Sequence, residues 1–261
     1  MNNSHKNPLP QETTSPFPAT RWTIVGRMAD HRRTIQKHGW DEFAEIYWPL
    51  LVSWLERQGA SPHNAQDLVQ GFFEKLWDKG SIAEQLRPES GRLRSFLLTS
   101  LQNWQRDQYR SQNTQKRGGD STPLELREDL ADVPHNPGGH DFHYDQEWAR
   151  VTLKIACQKL RQEYQERDQT AVFDLGITLL DDRDPQKTKD IADQLNMKSN
   201  ALNVSLKRLR ERLGRSLRDE VAETLFEPTS NMIDDELRYL LEAFGRHQSF
   251  SDILGKLLLH K

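Results

Sequence analysis

The chain has 261 residues, a formal net charge of -3, 35% hydrophobic residues and a single cysteine. With a mean hydropathy of -0.85, this composition argues against a membrane protein and against a wholesale basic coat for nucleic acid, and predicts small helical cores under much solvated surface. The lone Cys157 excludes an intrachain disulfide and a thiolate metal cluster; with no basic-then-apolar leader pattern, the expected compartment is reducing and cytoplasmic.

Strand signals are nearly absent and apolar residues recur at helical spacing in block after block, so the predicted class is all-α. Residues 1–20, rich in Asn, Pro, Ser and Thr, read as a disordered N-terminal extension, and Trp22, Ile24 and Val25 open the folded part. The spacing of Phe43, Tyr47, Leu50, Leu51, Trp54 and Leu55 predicts a helix from Trp40 to Gln58, kinked or split at Pro49 and ended by Gly59. Ser61-Pro62 then restarts the chain as an N-cap and first-turn proline. From Asn64 to Asp78 a strongly amphipathic helix is expected, with Ala65, Leu68, Val69, Phe72, Phe73, Leu76 and Trp77 inward and Asp67, Gln70, Glu74 and Lys75 outward.

After Gly91 a helix is predicted to run to about Tyr109. Leu93, Phe96, Leu97, Leu101 and Trp104 point inward, and Ser95, Thr99, Gln102 and Arg106 form a polar stripe without acids. With Asn103, Tyr109 and Arg110, that stripe carries the donors, charge and aromatic surface suited to single-stranded nucleic acid; a solvated helix face would look the same. Residues 111–144 hold Gly118-Gly119, Pro123, Pro134, Asn136-Pro137 and Gly138-Gly139 and read as a flexible linker. Beyond it, helices are expected at Trp148 to Ile155 and onward, at Ala171 to Leu180, and at Thr188 to Leu195.

Asn196 is expected in the left-handed conformation of a helix stop. Ser199 reads as the N-cap of a longer helix whose Leu202, Leu206, Leu209, Leu213 and Leu217 make one apolar stripe. Its opposite face is expected to carry Asn200, Asn203, Lys207 and Arg210. Asparagine can pair with the adenine edge and lysine with guanine acceptors, while Lys198, Arg208, Arg212, Arg215 and Arg218 are placed to meet phosphates. A basic helical hairpin of another purpose would share this pattern. A last short helix is predicted from Asn231 to Phe244, followed by a tail with the apolar run 253–259.

Charge is segregated along the chain. Gly91 to Gly119 has six basic residues against Asp107, and Lys187 to Arg218 has nine against three acids; Asp120 to Arg150 between them has eight acids and two arginines. Two basic patches thus flank an acidic connector. No constellation for catalysis is present: no phosphate-cradling glycine loop, paired-histidine zinc helix or nucleophile elbow. His135, His140 and His143 cluster only in the linker, and the acids from Asp181 to Asp184 read as a turn. Cys157, among Ile155, Ala156 and Leu160, reads as a packing residue. No catalytic residue, metal or cofactor is therefore expected.

Taken in order, these segments resemble a family. Ala65-Gln66-Asp67-Leu68-Val69-Gln70-Gly71-Phe72-Phe73 resembles the polymerase-binding helix of bacterial RNA polymerase sigma factors of the extracytoplasmic-function group. Gly91-Arg92-Leu93-Arg94-Ser95-Phe96-Leu97-Leu98-Thr99, continuing to Tyr109-Arg110, resembles their minus-ten promoter helix, and Gln115-Lys116-Arg117-Gly118-Gly119 the ending of a subset. The helix pair from Thr188 is similar to their minus-thirty-five reader, and Thr20-Arg21-Trp22 and Asp234-Asp235-Glu236-Leu237-Arg238 are similar to that subset's opening and closing motifs.

The resemblance implies a non-catalytic specificity subunit whose partners are core RNA polymerase and promoter DNA, with an anti-sigma factor as a further possible partner and no membrane contact. Asp67, Leu68, Gln70 and Phe73 would dock the polymerase. Asn103, Trp104, Arg106, Tyr109 and Arg110 would hold the melted minus-ten strand. Lys198, Ser199, Asn200, Asn203, Lys207, Arg208 and Arg210 would engage the minus-thirty-five duplex.

The implied organisation is two small helical domains joined by a flexible linker: 21–110 for polymerase and minus-ten binding, 111–144 as linker, and 145–221 as a four-helix module with a helix-turn-helix. Residues 222–261 form an extension that reads either as a built-in regulator or as a helix finishing the core. Ser205 stands where many relatives carry arginine, Asn203 where lysine is frequent, and Asn196 where the turn usually has glycine. A stand-alone helix-turn-helix regulator and a DNA-processing enzyme with an unrecognised carboxylate site are the alternative readings.

Overall fold

In the computed structural model, residues 21–28, 30, 32–78, 92–116, 141–180 and 184–244 are described. Among them are nine α-helices: α1 (Arg21–Met28), α2 (Arg33–Arg57), α3 (Pro62–Asp78), α4 (Leu93–Lys116), α5 (Phe142–Gln165), α6 (Thr170–Gly176), α7 (Pro185–Gln194), α8 (Ser199–Ala222) and α9 (Ser230–Ala243). A 3-10 turn, Ile177–Leu179, extends α6. The class is all-α, as expected, and the strand-type pairing among these residues is one isolated bridge between Arg92 and Leu225. The expected extension at 1–20, most of the linker, the turn at 181–183 and the apolar run 253–259 lie outside the described residues.

Local chemistry explains several helix ends. Gly59, at φ +97°, closes the turn after α2. The Ser61 hydroxyl accepts the Asn64 amide at 3.3 Å at the start of α3. Asp184 caps α7 by accepting the Gln186 amide at 2.8 Å, with Pro185 in the first turn. Asn196 is left-handed at φ 52°, as expected, and the Met197 amide donates to the Ala192 carbonyl at 2.8 Å across the corner.

Two local expectations are corrected. Lys198 takes the N-cap position of α8 without a side-chain cap bond, and Ser199 is the first helical residue. Helix α2 starts earlier than predicted, at Arg33, and is not split at Pro49. Pro49 and Glu45, four residues earlier, are both exposed, so the carbonyl that loses its amide partner lies on the side where water can replace it.

Helices α1, α2 and α3 bury one broad aromatic and aliphatic face. Phe43, Tyr47, Leu51, Trp54 and Leu55 of α2 and Val69 and Phe72 of α3 are at most 1% exposed. Trp77 departs from its predicted inward position. It is 42% exposed, because it sits at the end of α3 and covers only one side of itself against Trp40, 5.3 Å between centroids. Helix α4 meets α3 where Gly71 lacks a side chain; a Cβ there would lie 3.0 Å from the Trp104 ring.

The polar stripe predicted for α4 is largely overturned, since Ser95 and Gln102 are buried, together with Arg94 and Gln105. For Arg94 and Ser95 the reason is that the start of α4 is enclosed by distant chain. The Leu93 amide donates to the Thr224 carbonyl at 3.0 Å, supplying a partner for a helix-terminal donor, and the Tyr144 hydroxyl donates to the Arg94 carbonyl at 3.2 Å.

The Arg94 side chain is 1% exposed and ion-pairs with two equally buried carboxylates, Asp145 of α5 and Glu236 of α9. Arg92 adds a second cation to Glu236 at 3.1 Å. The Tyr239 hydroxyl donates to Asp145, and its ring lies 4.5 Å from the Arg94 guanidinium. Burial acts against the Arg94 charge, but Glu236 and Asp145 outweigh it and hold the guanidinium above its ordinary pKa. Burial, aided by the bond to Asp145, pushes the Tyr239 phenol up to about 12.

Helix α5 runs through two cores. Tyr144, Trp148 and Ala149 join the core of α1 to α4, while Leu153, Cys157, Leu160 and Tyr164 join a second core with α6 and α8. Trp148 stacks on Tyr47 at 5.1 Å. Asp141 caps α5 by accepting the His143 and Tyr144 amides at 3.0 Å, and its other oxygen accepts the Trp54 indole of α2 at 3.0 Å. A smaller cluster of Leu179, Ala192, Leu202 and Leu206 holds α7 on α8. Packing is therefore continuous across the boundary expected at residue 145.

Replacing Arg94 with Met strands buried carboxylates and lowers the unfolding free energy by about 3–5 kcal/mol in urea titrations. Replacing the exposed Arg33 with Met changes it by less than about 0.5 kcal/mol. Cys157 is fully buried and its thiol is pushed up to about 12 by burial. It stays protonated at pH 8, and an aromatic disulfide reagent labels it only at the rate of unfolding.

Candidate nucleic-acid interface

Three outward faces carry the residues singled out from the sequence. The first is on α3. Asp67 and Gln70 are exposed; the Asp67 carboxylate lies 3.5 Å from His63, and the Gln70 amide donates to Glu74 at 2.9 Å. Leu68 and Phe73 instead point inward, at 6% and 8% exposure. Phe73 packs among Trp40, Phe43, Trp48 and Phe72. The pattern of the amphipathic helix already separated these two pairs; the exposed part of Trp77, further along α3, was missed because it belongs to the apolar stripe.

The second face is the later half of α4. Asn103 and Arg110 are exposed and Arg106 is half-buried, with the Arg106 guanidinium donating to the Asn103 side-chain oxygen at 3.3 Å. Lys75 of α3 pairs with Asp107 at 3.1 Å, which removes the one acid of this stretch from competition with phosphates. Trp104 is 6% exposed and packs on Phe72 at 6.2 Å, so it supports the face from beneath. The Tyr109 side chain lies outside the described residues, although Tyr109 falls within α4.

The third face is on α8. Ser199, Asn200, Asn203, Lys207 and Arg208, with Lys198 at the cap, are exposed, opposite the buried Leu202, Leu206 and Leu209. Lys207 lies 4.0 Å from Glu211 one turn on, and the Ser205 hydroxyl bonds back to the Ala201 carbonyl at 3.1 Å.

Three arginines of this helix are placed differently from the sequence reading. The Arg210 guanidinium donates to the Leu179 and Leu180 carbonyls at 3.0–3.3 Å, satisfying the end of the 3-10 turn. Arg218 pairs with Asp234 of α9, and the Arg212 guanidinium lies 5.5 Å over the Tyr164 ring. Lys198 and Arg208 remain as exposed cations near the asparagines, and Arg215 is exposed two turns further along α8.

The chemistry of the second and third faces is hydrogen-bonding amides ringed by cations, suited to base edges and phosphates. Among the described residues no group of His, Cys, Asp and Glu is arranged to hold a metal, and no helix is long and apolar enough to cross a membrane. His135 and His140 lie outside the described residues, and His143 is exposed beside Arg57.

Residues 43–115 match the family model described as Sigma-70 region 2. The match begins within α2 and runs through α3 and nearly all of α4, so it contains the first two faces whole. No curated protein and no solved structure gives a significant match to the chain. The family match supports a sigma-70 type of factor, on the residues that carry the α3 and α4 faces.

Truncating Trp104 to Ala removes a buried ring and lowers stability by about 3–5 kcal/mol, read as an earlier midpoint in thermal denaturation. Asn103→Ala leaves the midpoint within about 2 °C, because that side chain is exposed and the bond it accepts from Arg106 lies on the surface.

Proposed function

We propose that the chain is a sigma factor of the extracytoplasmic-function group that binds core RNA polymerase, directs it to particular promoters and assists their melting. The observation that carries this reading is the coincidence of the Sigma-70 region 2 match with an exposed acid and amide face on α3 and an exposed cationic face on α4. Asp67 and Gln70 make the polar contacts to the polymerase, while Leu68 and Phe73 set the shape of that surface from below.

Asn103, Arg106, Tyr109 and Arg110 hold the displaced minus-ten strand, with Trp104 positioning them. Lys198, Ser199, Asn200, Asn203, Lys207 and Arg208 meet the minus-thirty-five element as duplex, with α7 and α8 acting as a helix-turn-helix. In this reading 21–110 and 145–221 are the two working domains, the connector of 111–144 begins as the last turns of α4 and ends as the first turn of α5, and the protein acts in the cytoplasm. Arg210 holds α8 against the 3-10 turn and contributes to DNA binding only indirectly.

Purified protein mixed with bacterial core RNA polymerase is expected to co-elute in size exclusion. Replacing Asp67 and Gln70 together with Ala abolishes co-elution at micromolar concentration without moving the thermal midpoint, since both are on the surface. A folded wild-type chain that stays apart from the core enzyme overturns the reading in favour of a stand-alone DNA-binding regulator. In the assembled enzyme, Arg208→Ala and Arg215→Ala each reduce the slope of log affinity against log salt by about 0.9, the signature of one lost phosphate contact.

A further inference from the structure

Within the basic stretch from Lys187 to Arg218, one large apolar side chain faces solvent: Val204 of α8, 51% exposed. At 100° per residue, Asn200, Asn203, Val204 and Lys207 form one narrow stripe, opposite Leu202, Leu206 and Leu209. Val204 forms one edge of that stripe, one helical turn from Asn200, and Asn203 forms the other edge. Ala201, also exposed, stands one turn before it, so nothing bulky shields its methyl groups on that side. A β-branched residue is a poor choice for an exposed helix, where it adds apolar surface and loses side-chain freedom. The other large exposed apolar side chains among the described residues, Trp77, Phe142, Phe226 and Leu241, lie outside this basic stretch.

The occupant of such a stripe is constrained by its chemistry. Lys198, Lys207 and Arg208 on and beside it select a polyanion, and the amides of Asn200 and Asn203 suit the N6 and N7 edge of adenine. On the base edges of a duplex major groove, the apolar group is the 5-methyl of thymine. A protein surface in the same place would leave the lysine and the asparagines against apolar neighbours, at a cost in desolvation.

We propose that Val204 reads a thymine 5-methyl group in the major groove of the upstream promoter duplex, beside the bases engaged by Asn200 and Asn203. The inference rests on the proposed role of α8 as a duplex reader and adds to it a specificity-determining residue. Thymine at one position is preferred because its methyl is removed from water against the valine. Cytosine and uracil lack that methyl.

The test uses the full chain assembled with bacterial core polymerase. A pool of duplexes randomised upstream of the melted region is selected by the wild type, by Val204→Ala and by Asn203→Ala. Each thymine of the wild-type site is then replaced in turn with deoxyuridine. At one position uracil is expected to weaken wild-type binding about fourfold, the effect of leaving one methyl-sized group in water, and Val204→Ala binds the thymine and uracil duplexes equally.

The inference is overturned if uracil matches thymine everywhere in the wild type, or if Val204→Ala keeps the same loss. In either case altered selection by Asn203→Ala leaves the duplex-reading role of α8 standing. If the wild-type enzyme enriches no upstream sequence, that role falls and Val204 falls with it. Thermal denaturation of Val204→Ala, expected to match the wild type at this exposed position, separates lost reading from lost folding.

Discussion

A buried guanidinium holds three remote parts of this chain together. Arg94 is 51 residues from Asp145 and 142 residues from Glu236 in sequence, yet the three charges meet out of contact with water. Such a cluster adds little net stability, because desolvation of each ion opposes the attraction. Its loss in part is severe, because removing Arg94 leaves two buried carboxylates with only Arg92 and the Tyr239 hydroxyl to offset their desolvation. The consequence is specificity of arrangement: α4, α5 and α9 can pack in the one way that brings all three charges together. The Tyr239 hydroxyl on Asp145 and the Tyr144 hydroxyl on the Arg94 carbonyl fill further hydrogen-bonding positions, as a buried polar network requires.

That junction gives α4 two ends of different character. Its first turns are enclosed, with Leu93 bonded to Thr224 and Ser95 and Arg94 buried. Further along, Asn103 and Arg110 face solvent. Part of the positive charge counted along this stretch therefore serves the interior, through Arg92 and Arg94, while Arg106 and Arg110 lie on the later, more open part of the helix. Helix α8 is divided in a similar way. Arg210 and Arg218 bind the protein itself, whereas Lys198, Arg208 and Arg215 stay at the surface. In both helices the internal arginines brace the segment that presents the external ones.

Helix α5 transmits the same constraint between the two cores. Its early residues pack beneath α2, and its later residues pack beneath α6 and α8. Asp141 fastens its start to α2 while capping it. The α8 face is thus held by an uninterrupted helix to the block that carries the α3 and α4 faces. Helix α9 adds to this by packing on both α5 and α8, so Ser230–Ala243 belongs to the fold in which those faces are displayed.

The helices and many of their ends were legible in the sequence because both depend on groups within about four residues of one another. The leucine stripe of α8, the Ser61-Pro62 start and the left-handed Asn196 are cases where periodicity or a local cap decides the outcome. The exposed members of the candidate faces, Asp67, Gln70, Asn103 and Asn200 among them, followed from the same stripes. Tertiary structure alone decided which polar groups would be enclosed and which apolar ones left out. Arg94 reads as part of a basic patch until chain from α5 and α9 is placed against it, Ser95 and Gln102 read as an outward stripe until their burial is seen, and Val204 and Trp77 look ordinary until their exposure is seen. The physical reason is that burial depends on neighbours scores of residues away, and helical spacing carries no record of them.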